Sequence, residues 1–213
     1  MKYSALLFDL DGTLVNSIHL WGGAIQEMFA TMGISMTPNT FREFYRPSAH
    51  LGVWLQHFDV DPARKEELRA VRDAAYIRLL RKKVTWLPAA KEILDAFDGA
   101  IPMGLVTGSW MSYVDTIDAR LSVKRYFQAI VTEDDMGTFS KPHPHGLQVA
   151  AGRLDVDPKR CLYVGDMLAD VESSHAAGMP CCLVRGPYTA KEAIRQADFI
   201  IDTLRELPAI TVP

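Results

Sequence analysis

The sequence has few cysteines and no C-x-x-C pair. Its 3 cysteines are Cys161, Cys181 and Cys182, and two of them are adjacent in the chain. This number and spacing argue against a disulfide framework and against a structural zinc site. An excess of charge of one sign is also lacking, because 23 lysine and arginine residues stand against 26 aspartate and glutamate residues. The formal net charge of −3 gives no electrostatic reason to expect nucleic acid or an anionic membrane as a partner.

Long hydrophobic runs are lacking as well. No apolar stretch approaches the roughly 20 residues that a membrane-spanning helix needs. Asp9 and Asp11 interrupt the short apolar stretch after Lys2, so this stretch is not expected to act as a signal peptide. With 48% hydrophobic and 23% charged residues, the composition is typical of a folded globular chain. The sequence therefore predicts a soluble protein of the cytoplasm.

Short apolar runs, each followed by polar residues, recur along the chain. They occupy residues 5–8, 103–106, 129–131, 161–164 and 181–184. Because these runs are apolar throughout, they are typical of strands in a parallel sheet that is covered on both faces. Segments with helical spacing lie between them, at residues 89–97, 110–121, 143–154 and 168–177. We therefore predict an α/β fold with a doubly wound, Rossmann-like parallel sheet.

The stretch from residue 17 to residue 85 breaks this alternation. It has no obvious strand, and it shows long helical patterns at residues 21–32 and 62–81. A helical block of this length after the first strand predicts a small inserted cap domain. The expected organisation is an α/β catalytic core of residues 1–16 and 86–213 and a helical cap of residues 17–85. The hinges are expected near Asn16–Ser17 and Val84–Pro88.

Polar residues follow four of the predicted strands, at the edge where open α/β sheets bind ligands. In chain order they are Asp9, Asp11, Gly12, Thr13, Thr107, Gly108, Ser109, Lys141, Asp166 and Asp170. Carboxylates without histidine or cysteine are ligands that suit Mg²⁺, and a lysine with hydroxyl and amide donors suits phosphoryl oxygens. The residues therefore predict a Mg²⁺ site for phosphate-ester chemistry.

Two of these aspartates suit two different steps of that chemistry. In an extended chain Asp9 and Asp11 leave the backbone on the same side. Asp9 can act as a nucleophile and form an aspartyl-phosphate, which splits one difficult displacement into two. Asp11 can protonate the departing alkoxide and then take a proton from the hydrolytic water. A metal ion would offset the repulsion between this pair and Asp166 and would orient the phosphoryl group.

Four motifs resemble those of the haloacid dehalogenase-like superfamily, in its phosphatase branch. They are FDLDGTLV at residues 8–15, VTGS at 106–109, KPHP at 141–144 and GDMLAD at 165–170. Together with the inserted cap, the resemblance covers nearly the whole chain and points to the phosphoglycolate phosphatase and β-phosphoglucomutase-like members. It implies a Mg²⁺-dependent phosphoric monoester hydrolase that acts on a small soluble phosphomonoester, of the phosphoglycolate or sugar-phosphate type.

The resemblance also implies a role for each matching residue. Asp9 would be the nucleophile and a metal ligand, and Asp11 would be the general acid/base and a ligand through its backbone carbonyl. Asp166 would be a further metal ligand. Thr107 and Lys141 would complete the catalytic set by binding the phosphoryl group. Asp170 would support the metal shell; a first-turn helix acid favoured by the helix dipole is the alternative interpretation.

The expected substrate-binding residues come from the loops and the cap. They are Gly12, Thr13, Gly108, Ser109, Arg46 and His50. Ser109 is also placed to be the N-cap of the helix at 110–121, and a helix N-terminus can itself bind an anion. Arg46 and His50 belong to a helix-breaking stretch of the cap, at residues 45–50. His143 and His145 are expected on the surface, and the cysteines in the core.

Alternatives to a phosphatase stay open at this point. Asp11 disfavours dehalogenation, because the dehalogenase branch lacks an acid there. Gly165-Asp166 stands where sugar-phosphate mutases often carry Glu-Asp, yet a phosphomutase remains an alternative. A phosphoacceptor signalling module is a more distant alternative, because it needs a long-lived acyl phosphate and Asp11 is placed to hasten the hydrolysis of that group. A binding protein without catalytic activity is the weakest alternative. The expected partner is a small phosphorylated metabolite, and neither nucleic acid nor a membrane is expected as a partner. The sequence allows a monomer and a homodimer equally.

Overall fold

The computed structural model describes residues 1–45 and 51–211. The chain divides into two compact units. One is built from residues 1–16 together with the chain from Thr85 onward, and the other from residues 17–84. Within the described ranges, no helix is long and apolar enough to cross a membrane.

The first unit contains a parallel sheet, as predicted. Its strands in the described residues are β1 (Ala5–Phe8), β2 (Met103–Val106), β3 (Ala129–Val131), β4 (Cys161–Gly165), β5 (Cys181–Val184) and β6 (Phe199–Ile201). Their order is β3-β2-β1-β4-β5-β6, and every neighbouring pair is parallel. The sequence analysis did not predict β6. This strand has three residues at the edge of the sheet, and Ile200 is 38% exposed, so the segment lacks the continuous burial typical of the other strands.

The register of β1 places the ends of three strands together. Phe8 pairs with Leu105 of β2 on one side and with Val164 of β4 on the other. The chain visits β2 and β3 on one side of β1 before it returns to β4 on the other side. Ligands of open α/β sheets bind at such a reversal, outside the carboxyl ends of the strands.

Helices of the first unit connect these strands. They are α5 (Ala90–Phe97), α6 (Met111–Leu121), α7 (Glu133–Met136), α8 (His145–Arg153), α9 (Leu168–Ala176), α10 (Lys191–Gln196) and α11 (Leu207–Thr211). A buried apolar cluster joins Leu7, Val106 and Tyr163 of the sheet with Leu147 of α8 and Val171 of α9. The predicted helices form, but each is one to three residues shorter than its sequence pattern.

In the described residues of the second unit, the regular secondary structure is helical. The helices are α1 (Ile18–Ala30), α2 (Pro38–Phe44), α3 (Leu51–His57) and α4 (Lys65–Lys83). Trp21 of α1 packs edge-on against Tyr76 of α4, with ring centroids 4.9 Å apart, and the Arg72 guanidinium lies 4.5 Å from the centre of the Trp21 ring. The sequence patterns indicated α1 and α4, whereas α2 and α3 were not predicted. The assignment of this unit as a cap stays a prediction.

Candidate active site

Three buried carboxylates meet beyond the carboxyl ends of β1 and β4. Asp9 directly follows β1, Asp166 directly follows β4, and Asp170 lies in the first turn of α9. One oxygen atom from each lies within 4.8 Å of the other two. None of the three residues is more than 6% exposed. The structure therefore brings together acids that are far apart in the sequence.

The turn between β4 and α9 fixes the position of Asp170. Its Oδ2 accepts hydrogen bonds from the backbone amides of Asp166 (3.1 Å) and Met167 (3.0 Å). A Cβ atom on Gly165 would lie 2.5 Å from Cγ of Asp170. A glycine at this position is thus what allows the carboxylate of Asp170 to fold back over the turn. Asp170 supports the Asp166 backbone in this way.

Lys141 lies inside this group of acids. Its ammonium donates to Oδ1 of Asp9 at 2.6 Å, to Oδ1 of Asp170 at 2.7 Å and to the hydroxyl of Tyr163 at 2.6 Å. The side chain is only 9% exposed. Because an ammonium has three protons, these three acceptors match its hydrogen-bonding capacity.

Tyr163 is a site residue that the sequence analysis missed. It lies in the middle of β4 and is fully buried, with its hydroxyl 3.0 Å from Oδ1 of Asp170 and 3.2 Å from the carbonyl oxygen of Val106. The only signal in the sequence was a hydroxyl group in the otherwise apolar run at 161–164. Tyr163 completes the set of acceptors around Lys141.

Burial dominates the electrostatics of the site. It raises the pKa of Asp9 to about 7, against the opposing attraction of Lys141 and with added repulsion from Asp170. Burial likewise raises the pKa of Asp166 well above its ordinary value. Burial disfavours the charge of Lys141, but Asp170 and Asp9 outweigh that effect and raise the Lys141 pKa above its usual range. One ammonium thus faces three carboxylates, and an all-oxygen donor set with excess negative charge fits Mg²⁺.

The side chain of Asp11 is held by the loop that follows β2. Its Oδ2 accepts from the hydroxyl of Ser109 at 2.7 Å and from that of Thr107 at 3.4 Å. The Thr107 hydroxyl in turn accepts from the Ser109 amide at 3.0 Å. Gly12, with a φ of +87°, allows the sharp turn after Asp11. Asp9 and Asp11 therefore sit in different hydrogen-bond networks although they are two residues apart.

Thr13 and Gly108 were both predicted to bind substrate. The hydroxyl of Thr13 is buried and donates to Oδ1 of Asp166 at 3.1 Å, so in this structure it orients an acid. Gly108 is exposed, and no atom lies within 4 Å of the point where a Cβ would stand. That open space lies beside Thr107 and Ser109, and it leaves room for a ligand against the loop.

The prediction that Ser109 is a helix N-cap is wrong. Helix α6 begins at Met111 with Trp110 as its N-cap residue, and the Met111 amide donates to Oδ2 of Asp134 at 2.7 Å. The backbone carbonyl of Ser109 accepts from the Glu133 amide at 3.1 Å, and its hydroxyl turns to Asp11. The helix thus starts one residue later than predicted, and an acid from α7 caps its first amide.

The remaining residues named from the sequence are two cap residues, two histidines and the cysteines. Arg46 and His50 fall outside the described residues. His143 is exposed and His145 is half-buried, and both rings lie close to the exposed ring of Phe139. The cysteines are buried as predicted, and burial raises the pKa of the Cys161 thiol to about 11.

Comparisons with known proteins place the chain in a family. A family model described as haloacid dehalogenase-like hydrolase matches residues 6–184. The chain is 31% identical to N-acetylmuramic acid 6-phosphate phosphatase of Pseudomonas aeruginosa, over 97% of this chain and 94% of the relative. It is 26% identical to phosphoglycolate phosphatase of Escherichia coli K12, over 97% of this chain and 92% of that relative.

Solved structures show the same fold. The crystal structure of CbbY from Rhodobacter sphaeroides in complex with phosphate superposes with a TM-score of 0.85 at 24% identity, covering 96% of both chains. The structure of a predicted phosphoglycolate phosphatase from Haemophilus somnus gives a TM-score of 0.88 at 22% identity, covering 99% of both chains. At these identities the likeness supports the fold alone.

Proposed function

The chain belongs to the haloacid dehalogenase-like hydrolase family, in its phosphatase branch, and we propose that it is a Mg²⁺-dependent phosphatase of a small phosphorylated metabolite. The observation that supports this most is the buried contact of Asp9 with Lys141, 2.6 Å long, inside a group of three carboxylates. The substrate class that we propose is a phosphomonoester of the phosphoglycolate or sugar-phosphate type. The two named relatives act on phosphate esters of these kinds.

In this proposal Asp9 and Asp166 would hold the metal through their side chains, and Asp11 would hold it through its backbone carbonyl. When bound, Mg²⁺ offsets the excess negative charge and polarises the phosphoryl oxygens. Asp170 acts indirectly, because it binds the amides of Asp166 and Met167 and so fixes the turn that carries Asp166.

The reaction proceeds in two steps on the residues of this chain. In the first, a carboxylate oxygen of Asp9 attacks phosphorus, the ester P–O bond breaks, and Asp11 gives a proton to the departing alkoxide. In the second, water attacks the aspartyl-phosphate, Asp11 takes a proton from that water, and inorganic phosphate leaves Asp9. Lys141 holds the nucleophile and neutralises charge on the phosphoryl oxygens. Thr107 and Ser109 orient Asp11.

A screen of phosphorylated metabolites for release of inorganic phosphate tests this function. We expect Mg²⁺-dependent release from p-nitrophenyl phosphate and faster release from a subset of small phosphomonoesters. Isomerised sugar phosphate without free phosphate would indicate the phosphomutase instead. A phosphorylated protein that persists for minutes, without turnover, would indicate a signalling module.

Replacing Asp11 by asparagine should slow turnover by about 10²- to 10⁴-fold, the usual contribution of a general acid/base. Asparagine keeps the size of the side chain and can still accept from the Ser109 hydroxyl, so the loop should stay in place. A labelled aspartyl-phosphate on Asp9 should accumulate when its hydrolysis is slowed more than its formation. Acid quench of labelled substrate and treatment with hydroxylamine measure this. The matched control is Asp115→Asn on the surface of α6, which should turn over normally; normal turnover of Asp11→Asn would refute the role.

Mg²⁺ affinity should depend strongly on pH, because the acids that would bind the ion hold protons in the metal-free protein. With the Asp9 pKa at about 7, binding at pH 6 must displace a proton that is absent at pH 8. We expect Mg²⁺ to bind about tenfold or more weakly at pH 6 than at pH 8. Calorimetric titration at the two pH values measures this, and equal affinities would contradict it.

The stability of the metal-free protein should also depend on pH, and it should fall as the pH rises. The folded pKa of Asp9 is raised above its ordinary value, so the folded state binds more protons than the unfolded state. Stability from this group is therefore present at low pH and is lost as pH rises through about 7. Thermal unfolding without metal should show this loss, and Mg²⁺ should raise the melting temperature more at pH 8 than at pH 6.

A further inference from the structure

The segment that carries Lys141 lies largely at the surface. Thr138, Phe139 and His143 are exposed, and the Phe139 ring is 50% exposed. Lysine also has a long flexible side chain, so its ammonium keeps one position only if the backbone below it is fixed. The 2.6 Å contact of Lys141 with Asp9 therefore requires other groups to hold residues 140–143.

One hydrogen bond fixes this segment from the side of α9. The hydroxyl of Ser173 donates to the backbone carbonyl of His143 at 3.0 Å, and Ser173 is fully buried. Ser173 lies three residues after Asp170, and residues with this spacing share one face of a helix. The same face of α9 thus holds the segment twice, through the Lys141 ammonium and through the His143 carbonyl.

A second hydrogen bond fixes the segment from the side of α7. The hydroxyl of Ser140 donates to Oε1 of Glu133 at 2.5 Å. The amide of Glu133 donates to the carbonyl of Ser109 at 3.1 Å, and the Ser109 hydroxyl donates to Asp11. Glu133 therefore links the segment of Lys141 to the loop that holds Asp11.

We propose that Ser173 and Glu133 are positioning residues, which hold residues 140–143 from both sides and keep the Lys141 ammonium between Asp9 and Asp170. The kinetic consequence rests on the proposed phosphatase function, whereas the effect on the backbone of the segment does not. Catalytic groups act only within narrow limits of distance and angle, so a small shift of Lys141 lowers the rate.

The chain contains a matched pair of serines for the test. Ser173 and Ser174 are adjacent on α9, both are fully buried, and each donates to one backbone carbonyl. The Ser174 hydroxyl binds Met179 at 2.9 Å, away from the site. Ser173→Ala and Ser174→Ala should therefore lower stability by similar amounts. Only Ser173→Ala should lower kcat/KM on p-nitrophenyl phosphate, by about three- to tenfold, the usual range for one hydrogen bond.

Amide hydrogen exchange gives a readout that needs no activity. The His143 amide donates to the Ser140 carbonyl at 3.0 Å, so its exchange reports on the segment. Ser173→Ala should speed exchange in the peptide spanning residues 137–146, and Ser174→Ala should not. Unchanged exchange in Ser173→Ala would overturn the proposal.

Kinetic coupling separates positioning of Lys141 from a general loss of structure. In a Lys141→Met background, adding Ser173→Ala should lower the residual rate less than about twofold, since the group it positions is gone. A full additional loss in that background would overturn the proposal. Ser140→Ala, on the less buried side of the segment, should lower kcat/KM in the same direction and serves if Ser173→Ala does not fold. If the parent protein shows no turnover, the proposed phosphatase function is contradicted. If the parent turns over and Ser173→Ala and Ser140→Ala turn over equally fast, only the positioning role is contradicted.

Discussion

Replacing Asp9 by asparagine should lower the Mg²⁺-dependent turnover of p-nitrophenyl phosphate by about 10⁴-fold or more, the scale of losing a covalent nucleophile. The amide has nearly the same shape as the carboxylate, but it does not attack phosphorus and binds a cation poorly. No labelled acyl phosphate should form on the variant.

Stability measurements distinguish this loss of chemistry from unfolding. Burial raises the pKa of Asp9, so its charged form is unfavourable in the folded metal-free protein. Removing that charge should leave the variant at least as stable as the parent at pH 8 without metal. Undiminished turnover by a pure preparation of Asp9→Asn would exclude Asp9 as the nucleophile.

Replacing Lys141 by methionine should lower kcat/KM by about 10²- to 10³-fold, similar to losing one preorganised donor to a developing charge. It should also destabilise the metal-free protein by about 3–5 kcal/mol at pH 8, since buried carboxylates lose their ion-pair partner. The side chains of both carboxylates in contact with Lys141 are at most 9% exposed. Water can therefore replace little of the ion pairing that they lose with the ammonium. Urea unfolding at pH 8 measures the change.

The pH dependence of that destabilisation identifies its cause. At pH 5 the carboxylates can take up protons, so the difference between Lys141→Met and the parent should shrink. Lys124→Met is the control, because Lys124 pairs with Asp115 on the surface and its loss should cost little. Equal stability of Lys141→Met and the parent at pH 8 would contradict the burial of this charge among the acids.

The sheet could be predicted from the sequence because five of its strands are short, wholly apolar runs followed by polar residues. The convergence of Asp9 with Asp166 followed from the same pattern, since parallel strands end at one edge. Strand β6 could not be predicted in this way, because an edge strand is only partly buried. The family was identified correctly from the four motifs, while the roles of the site residues and the cap stay predictions.

The details that were missed depend on contacts between distant segments. Tyr163 has no local pattern that separates a site hydroxyl from an ordinary strand residue. The start of α6 depends on Asp134, which lies 23 residues after the amide that it caps. The hydrogen bond of Ser173 to His143 joins residues 30 apart, and Ser173 lies outside the four motifs. Such contacts are set by the packing of whole elements, which periodicity and spacing do not describe.

The central position of β1 also sets the order of events during synthesis of the chain. Phe8 is translated about 100 residues before its partner Leu105 and about 150 residues before its partner Val164. At about 5–20 residues per second, β1 waits roughly 5–20 seconds for its first neighbour and longer for its second. An apolar strand with both edges open for that time is a natural target for chaperones. Both edges of β1 therefore stay open in the nascent chain until β2 and β4 have been made.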